Sequence, residues 1–213
     1  MLRSIRRPLL TLGALAGLGL AGLAASQSLE GMGKPALAAN WGSSSEKALR
    51  PAAPNRTDIP WFQTLVDNAE PGTVLKPPPG IYAGPVLVDK PLTIDGGDQV
   101  TIDGGGKGTV FVIDAKGATL RGVTLQGSGD SHDSDDSCLN VRGDHHVVEG
   151  IVIRDCLFGI DLKQANHNVL RNNKISSKPF ELGVRGDGLR LWYSNHNLVE
   201  GNLVVDSRDM EAW

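Results

Sequence analysis

The sequence predicts an all-β protein wound as a parallel β-helix, and three observations point to this fold. Glycine is abundant, with 27 among 213 residues, and short β-branched runs alternate with Gly, Asn and Asp, which favours strands joined by turns over helices. One segment recurs four times along the chain. An apolar pair with one residue between its members precedes each copy, and this is the spacing of a strand that faces a core.

The four copies align on the anchor residues Gly122, Gly150, Asn172 and Gly201. They read ATLRGVTLQGS from residue 118, HVVEGIVIRDC from 146, NVLRNNKISSK from 168 and NLVEGNLVVDS from 197. The apolar pairs before them are Phe111/Ile113, Leu139/Val141, Ile160/Leu162 and Leu189/Leu191. Strands at such intervals fit a solenoid whose coils stack about 4.8 Å apart. The leucine and asparagine signature of leucine-rich repeats is absent, and so are blades of about 40 residues that would indicate a β-propeller.

Residues 1–39 are predicted to be a signal peptide. Three arginines lie within the first seven residues, residues 9–25 are an uncharged Leu/Ala/Gly stretch, and Ala-Leu-Ala at 36–38 is a small-residue cleavage motif. The apolar stretch is short and glycine-rich for a membrane span, which needs about 20 strongly apolar residues. We therefore expect a periplasmic protein without stable membrane insertion after cleavage, exported by the general secretory or the twin-arginine route.

Residues 40–57 are predicted to be a linker, and residues 58–213 to be the β-helix domain. The linker combines Ser, Pro and mixed charge without apolar periodicity. A short amphipathic helix from Trp61 to Asn68 is expected to cover the first coil and its strand edges. The chain ends directly after a full repeat without a comparable cap, so the sequence predicts a domain that is incomplete at its C terminus.

Charge and cysteine content restrict the possible partners and the redox state. The formal charge of −3 provides no basic surface for nucleic acid or anionic membrane. The two cysteines, Cys138 and Cys156, are compatible with a disulfide in an oxidising periplasm and equally with two buried thiols. The sequence leaves both states open.

Histidines occupy matching places just before the strand that leads to each anchor. They are His145 or His146, then His167 and His196, and stacked coils would bring them into one column. Imidazole is a good ligand for copper and zinc. We therefore take His146, His167 and His196 as candidate metal ligands, with copper as the candidate ion. The alternative is a turn position where histidine fits beside asparagine without binding anything.

Two insertions interrupt the repeat, one at GSGDSHDSDDSC and one around SSKPFELGVRGDG. The first insertion contains hard oxygen ligands suited to calcium and one softer imidazole. These candidate ligands are Asp130, His132, Asp133, Asp135 and Asp136. Their spacing lacks the glycine and terminal glutamate of an EF-hand loop. A solvated insertion that binds no metal is the alternative.

A carbohydrate-active enzyme would need two carboxylates on adjacent coils above a groove. The residues available for such a patch are Asp155, Asp161, Asp187 and Asp209, with Arg185 and Arg190. No spacing identifies a catalytic pair, and the four Phe, two Tyr and four Trp of the chain are few for a sugar-stacking surface. We therefore assign no catalytic residue and predict a protein that is not an enzyme. A polysaccharide lyase or hydrolase is the alternative, and a non-functional fragment is another.

Four stretches resemble the NosD-type periplasmic proteins: PGTVLKPPPGIYAGPVLVDKPLTIDGG, TIDGGGKGTVFVIDAKGATLRGVTLQGSG, LFGIDLKQANHNVLRNNKI and RGDGLRLWYSNHNLVEGN. The resemblance runs from about residue 60 to the last residue. It implies a right-handed β-helix that assists maturation of the copper centre of nitrous oxide reductase together with an ABC transporter. Such a protein binds and hands over its cargo. The resemblance also implies further C-terminal coils, which agrees with the expectation of a domain that is incomplete at its C terminus.

Overall fold

The computed structural model describes residues 48–212. The predicted signal peptide and residues 40–47 of the predicted linker lie outside these residues. Residues 48–57 contain no helix or strand and lie against the strands that follow. Arg56, for example, is 3.3 Å from the carboxylate of Asp103.

The described chain contains one short helix, and all its other regular elements are strands. In order, the elements are α1 (Gln63–Asn68), β1 (Val74–Leu75), β2 (Gly80–Ala83), β3 (Val86–Val88), β4 (Thr93–Asp103), β5 (Phe111–Asp114), β6 (Thr119–Gln126), β7 (Ser137–Arg142), β8 (Val147–Glu149), β9 (Val152–Cys156), β10 (Phe158–Lys163), β11 (Val169–Arg171), β12 (Lys174–Ser177), β13 (Leu189–Trp192), β14 (Leu198–Glu200), β15 (Leu203–Val205) and β16 (Met210–Ala212). Every strand pair is parallel, and each strand pairs with its counterpart in the next coil. The predicted parallel β-helix is therefore confirmed.

Each coil contributes strands to three ladders. The first ladder contains β1, the start of β4, the start of β6, then β8, β11 and β14. The second contains β2, the ends of β4 and β6, then β9, β12 and β15. The third is a separate sheet of β3, β5, β7, β10, β13 and β16. β4 and β6 continue through the bend between the first two ladders, whereas later coils break there into two strands.

The predicted apolar pairs line the interior of the third ladder in the expected register. Ile160 pairs with Leu139 on one side and with Leu189 on the other, and all three are fully buried. The four anchors Gly122, Gly150, Asn172 and Gly201 have φ of 58°, 61°, 56° and 64°, in the left-handed region that closes the bend. The repeat therefore predicted the interior of the solenoid, and the structure shows that its anchors form the bends.

Asparagine amides connect successive coils at two corners. At the bend after the first ladder, the backbone N–H of Ile151 donates to Asn173 Oδ1 at 3.0 Å, and the N–H of Asn173 donates to Asn202 Oδ1 at 2.9 Å. At the corner before the first ladder, the N–H of Asn168 donates to Asn197 Oδ1 at 2.8 Å. These bonds satisfy backbone groups at corners where the strand ladders are interrupted.

The predicted N-terminal cap is present, as helix α1. The Phe62 ring before the helix is fully buried and packs edge-on against Tyr82, with 5.3 Å between the centroids. Gln63 pairs with the edge of β3, because its Oε1 accepts from the N–H of Leu87 at 2.6 Å and its Nε2 donates to the Leu87 carbonyl at 3.0 Å. The helix thus covers the core and satisfies a strand edge.

Charges alternate up the outer face of the first ladder. The aligned positions are Asp95, Arg121, Glu149, Arg171 and Glu200. Arg121 lies 2.9 Å from Asp95, and Arg171 lies 2.9 Å from Glu149. We refer to these five residues as the charge ladder.

The two cysteines form a disulfide in the structure. Cys138 lies in β7 and Cys156 ends β9, with 5.6 Å between their Cα atoms. The bond therefore crosses the interior from the third ladder to the second, and it resolves the alternative that the sequence left open.

Candidate functional site

The two insertions meet at one corner of the solenoid. Residues 127–136 connect β6 to β7, and residues 178–188 connect β12 to β13, so both lie between the second and third ladders. Lys178 Nζ donates to the carbonyl of Ser128 at 2.7 Å, and the ring of His132 bonds to the carbonyl of Val184 at 2.9 Å. We call the two insertions together the insertion corner. Loops fixed on a rigid scaffold are common places for binding.

Asp135 ties the insertion corner to the outer face of the third ladder. Its carboxylate accepts from Lys163 Nζ at 2.6 Å and from an Arg190 nitrogen at 2.9 Å. The same two cations face Asp161, at 3.5 Å for Lys163 and 3.1 Å for Arg190. Asn140 completes the row, because its Nδ2 donates to Asp161 Oδ2 at 3.2 Å. The result is a compact cluster of two carboxylates, two cations and an amide.

The environment shifts the pKa values of the two carboxylates of this cluster in opposite directions. Burial raises the pKa of Asp161 above its ordinary value, although Arg190 and Lys163 oppose the rise. For Asp135, burial also acts to raise the pKa, but hydrogen bonds from Lys163 and Arg190 outweigh it and leave the pKa lowered. Asp161 Oδ1 is buried and has no hydrogen-bond partner within residues 48–212. Asp161 is therefore the less well compensated of the two acids.

Aromatic contacts hold Arg190 in place. Its guanidinium lies 3.7 Å from the centroid of the Phe158 ring, a cation–π distance. The rings of His132 and Phe158 pack in an edge-to-face arrangement, with 5.3 Å between their centroids. The guanidinium is consequently fixed between the acids and an aromatic face.

A cleft of about 360 Å³ opens beside this cluster. Its lining consists of Asp135, Lys163, Gln164, Trp192 and Tyr193. Tyr193 is 62% exposed and has a φ of 48°, an uncommon conformation for a bulky residue and one that is seen at functional sites. Two aromatic rings beside an ion pair can accommodate a small ligand with an apolar face and polar edges.

The structure also aligns three imidazoles on another corner, between the third and first ladders. The centroids of His145 and His167 are 5.3 Å apart, and those of His167 and His196 are 4.9 Å apart. The ring planes are inclined by only 11° and 10°. We call these three residues the histidine column.

The column contains His145, whereas His146 points into the protein. His146 is fully buried, its Nδ1 accepts from the N–H of Ala118 at 3.0 Å, and its Nε2 lies 2.9 Å from the carbonyl of Arg142. Burial lowers the pKa of His146 below its ordinary value. Assignment of His146 to the exposed column is therefore corrected to His145, because both ring nitrogens of His146 already bond to the backbone.

The other candidate ligands of the acidic insertion lie apart from one another. Asp130 pairs with Lys178, Asp136 accepts from the N–H of Ser131 at 3.0 Å, and Asp133 is exposed. Within residues 48–212, no three or more His, Cys, Asp or Glu side chains are grouped so that they could hold a metal ion. The contacts of the insertion are thus with protein groups.

The acids considered for carbohydrate chemistry have separate partners. Asp161 faces Arg190, whereas Asp187 receives two bonds from Arg208, at 3.0 and 3.1 Å. Arg185 donates to the carbonyl of Phe180 at 2.9 Å. The structure therefore brings together Asp161 and Arg190 from this set and directs Asp187 to a different arginine.

Sequence reasoning missed Asn140 and Lys163 as members of the cluster. The apolar alternation does contain the relevant signal, since the residue between the two members of each apolar pair must face outward. In three successive coils these intervening residues are Asn140, Asp161 and Arg190, and the structure pairs them in register. Their alignment could be predicted from the sequence. The contact between Asp135 of the first insertion and this row could not.

In the part of the chain that the structure describes, no helix has the length and apolar composition needed to cross a bilayer.

Comparison with known proteins gives a family match and a relative. Residues 97–210 match the family model described as a right handed beta helix region. Over 133 residues, the chain is 29% identical to a protein of Pseudomonas aeruginosa named "Probable ABC transporter binding protein NosD". That alignment covers 61% of this chain and 31% of the relative, so it spans about a third of the relative's length. No solved structure matches the chain.

Proposed function

The chain belongs to the right-handed β-helix family, and from this premise we propose that it is a periplasmic accessory protein of the NosD type. In this role it assists maturation of the copper centre of nitrous oxide reductase and works with an ABC transporter. The single observation that carries the proposal is the 133-residue similarity to NosD. The predicted signal peptide supports a periplasmic location.

The geometry of the acids favours binding over turnover. Hydrolysis of a glycoside uses two carboxylates that act on the same bond, whereas Asp161 and Asp187 here are occupied by different arginines. Both carboxylates are buried, which suits a structural role below a surface. The insertion corner lies outside these two acids, and we propose that it makes the contact with the partner.

Binding to purified partners tests the role. The protein is expected to bind nitrous oxide reductase lacking its copper, or the ABC transporter in detergent, in a surface plasmon resonance measurement. Asp133 is exposed on the insertion corner, and Asp133→Arg is expected to weaken binding at least about tenfold if this corner makes the contact. Glu70→Arg reverses an exposed carboxylate that follows helix α1, outside the insertion corner, and serves as the matched control.

Two results would count against the proposal. If neither partner is bound, the NosD-type role is wrong. If Glu70→Arg weakens binding as much as Asp133→Arg, the role stands but the insertion corner is not the contact surface. Export is tested separately by N-terminal sequencing of protein recovered from the periplasm, which is expected to begin near Asn40.

A carbohydrate-active enzyme is the second candidate, and the cleft beside Trp192 and Tyr193 is the observation that favours it. Exposed aromatic faces next to charged groups are suited to a sugar ring. Incubation with uronic-acid polymers separates the two functions. Release of shortened chains that is lost in Trp192→Ala would favour the enzyme, and absence of product is expected from the accessory protein.

A further inference from the structure

The histidine column presents one exposed imidazole on each of three successive coils. His145, His167 and His196 all have positive φ, at 63°, 56° and 57°, so the same backbone conformation directs each ring outward. All three residues are exposed. The coil spacing therefore fixes the distance between the bases of neighbouring side chains, while their exposure to solvent leaves space around the rings.

We infer that neighbouring members of the histidine column bind a divalent transition-metal ion as an imidazole pair. Imidazole nitrogen bonds such ions at about 2.0 Å, so two nitrogens in adjacent coordination positions lie about 3 Å apart. The present centroid distances of 5.3 and 4.9 Å are within reach of that separation, because a tilt of two exposed rings brings their nitrogens together without backbone movement.

The pair is the relevant unit, since three ligands cannot converge on one ion here. His145 and His196 are separated by two coils, about 10 Å at the usual strand spacing. An ion held by His167 can therefore take its second imidazole from the coil before or from the coil after. His167 belongs to both possible pairs, and each end residue belongs to one.

The local charge favours a cation at the His145–His167 end. The carboxylate of Asp144 accepts from the N–H of Asn166 at 2.8 Å and from Asn166 Nδ2 at 3.2 Å. Asn166 directly precedes His167, so these bonds hold the Asp144 carboxylate beside the His145–His167 end of the column. The inference rests on these contacts and is independent of the role proposed with nitrous oxide reductase.

Titration with Cu²⁺ by calorimetry tests the inference, because Cu²⁺ binds nitrogen ligands most tightly among these ions. Each histidine is replaced by asparagine, which removes the imidazole and still tolerates the left-handed conformation. His167→Asn destroys both pairs and is expected to weaken Cu²⁺ binding roughly 100-fold. His145→Asn and His196→Asn each leave one pair. His196→Asn is expected to cost at most about twofold, and His145→Asn, which removes the pair beside Asp144, is expected to cost more than His196→Asn but much less than His167→Asn.

A second variant and a control complete the design. The double variant H145N/H196N also removes both pairs and is expected to bind as weakly as His167→Asn. His132→Asn removes an exposed imidazole outside the column and is expected to leave affinity unchanged. Electron paramagnetic resonance is expected to show two nitrogen ligands in the unmodified protein and one in His167→Asn. The inference is overturned if His167→Asn binds like His145→Asn, or if His132→Asn weakens binding as strongly as His167→Asn.

Discussion

The carboxylate of Asp161 lies 3.1 Å from the guanidinium of Arg190 on the neighbouring strand, and both side chains are buried. Each of these charges depends on the other, because burial of an unpaired ion is costly. Lys163, at 3.5 Å, is the only further cation facing Asp161 among the salt bridges of the described residues. Substitutions in this pair therefore test directly whether paired buried charges stabilise the structure below the insertion corner.

Replacement of Arg190 by methionine is expected to lower the free energy of unfolding by about 3 kcal/mol, because it leaves the Asp161 charge buried with weaker compensation. The double variant D161N/R190M is expected to recover part of this loss. Urea unfolding at neutral pH measures both. Equal stabilities of the single and double variants would show that the buried charge is not the cause.

The buried imidazole of His146 predicts a loss of stability in mild acid. Burial lowers its pKa in the folded state, so below the ordinary value of about 6.5 the unfolded chain binds the extra proton first. Stability is therefore present above pH 6.5 and falls as the pH decreases, by up to about 1.4 kcal/mol per pH unit. His146→Gln is expected to remove this part of the pH dependence, measured by urea unfolding between pH 7 and 5. His132→Gln is the control, and an unchanged profile in His146→Gln would refute the assignment.

The amide of Asn173 is expected to contribute strongly to stability. It accepts from the N–H of Ile151 at 3.0 Å and donates to the carbonyl of Val148 at 3.1 Å, and its side chain is buried. Asn173→Ala leaves these backbone groups unpaired and is expected to cost about 3 kcal/mol. Asn195→Ala alters an exposed amide and is expected to cost less than about 1 kcal/mol. Thermal unfolding compares the two variants. Similar losses of stability would argue against a special contribution from the buried amide of Asn173.

The disulfide is expected to stabilise the domain by restricting the unfolded chain. The two cysteines are 18 residues apart, and a loop of this size corresponds to about 3 kcal/mol. The double variant C138A/C156A should therefore unfold at lower urea concentration, and a reducing agent should lower the midpoint of the unmodified protein in a similar way. A midpoint that does not respond to reductant would mean that the thiols are not joined.

The interior of the solenoid was predictable residue by residue, whereas the contacts between insertions were not. Alternation assigned Leu139, Ile160 and Leu189 to one inner column because the strand period and the distance to the anchor leave one register. Lys178 and Ser128, by contrast, are 50 residues apart in the sequence. Their contact depends on the path of two irregular loops, which no periodic pattern encodes.

The histidine column shows that a local sequence alignment can decide which of two neighbouring histidines belongs to it. Residues 166–168 and 195–197 both read Asn-His-Asn, and the equivalent segment at 144–146 reads Asp-His-His. The bond from the N–H of Asn166 to Asp144 confirms that equivalence. Aligning these three segments places His145, and not His146, beside His167. The apolar periodicity alone cannot make this distinction. His145 has a left-handed backbone, so the regular strand alternation does not assign its side chain to a face.

The charge ladder also disfavours coils that stack in the wrong order. Skipping the coil of Glu149 would place Arg121 against Arg171, and skipping the coil of Arg171 would place Glu149 against Glu200. Either error replaces an attraction by a repulsion between like charges. A misthreaded chain would still bury similar aliphatic side chains, since the coils resemble one another inside. The outer surface thus distinguishes rungs that the hydrophobic interior treats as interchangeable.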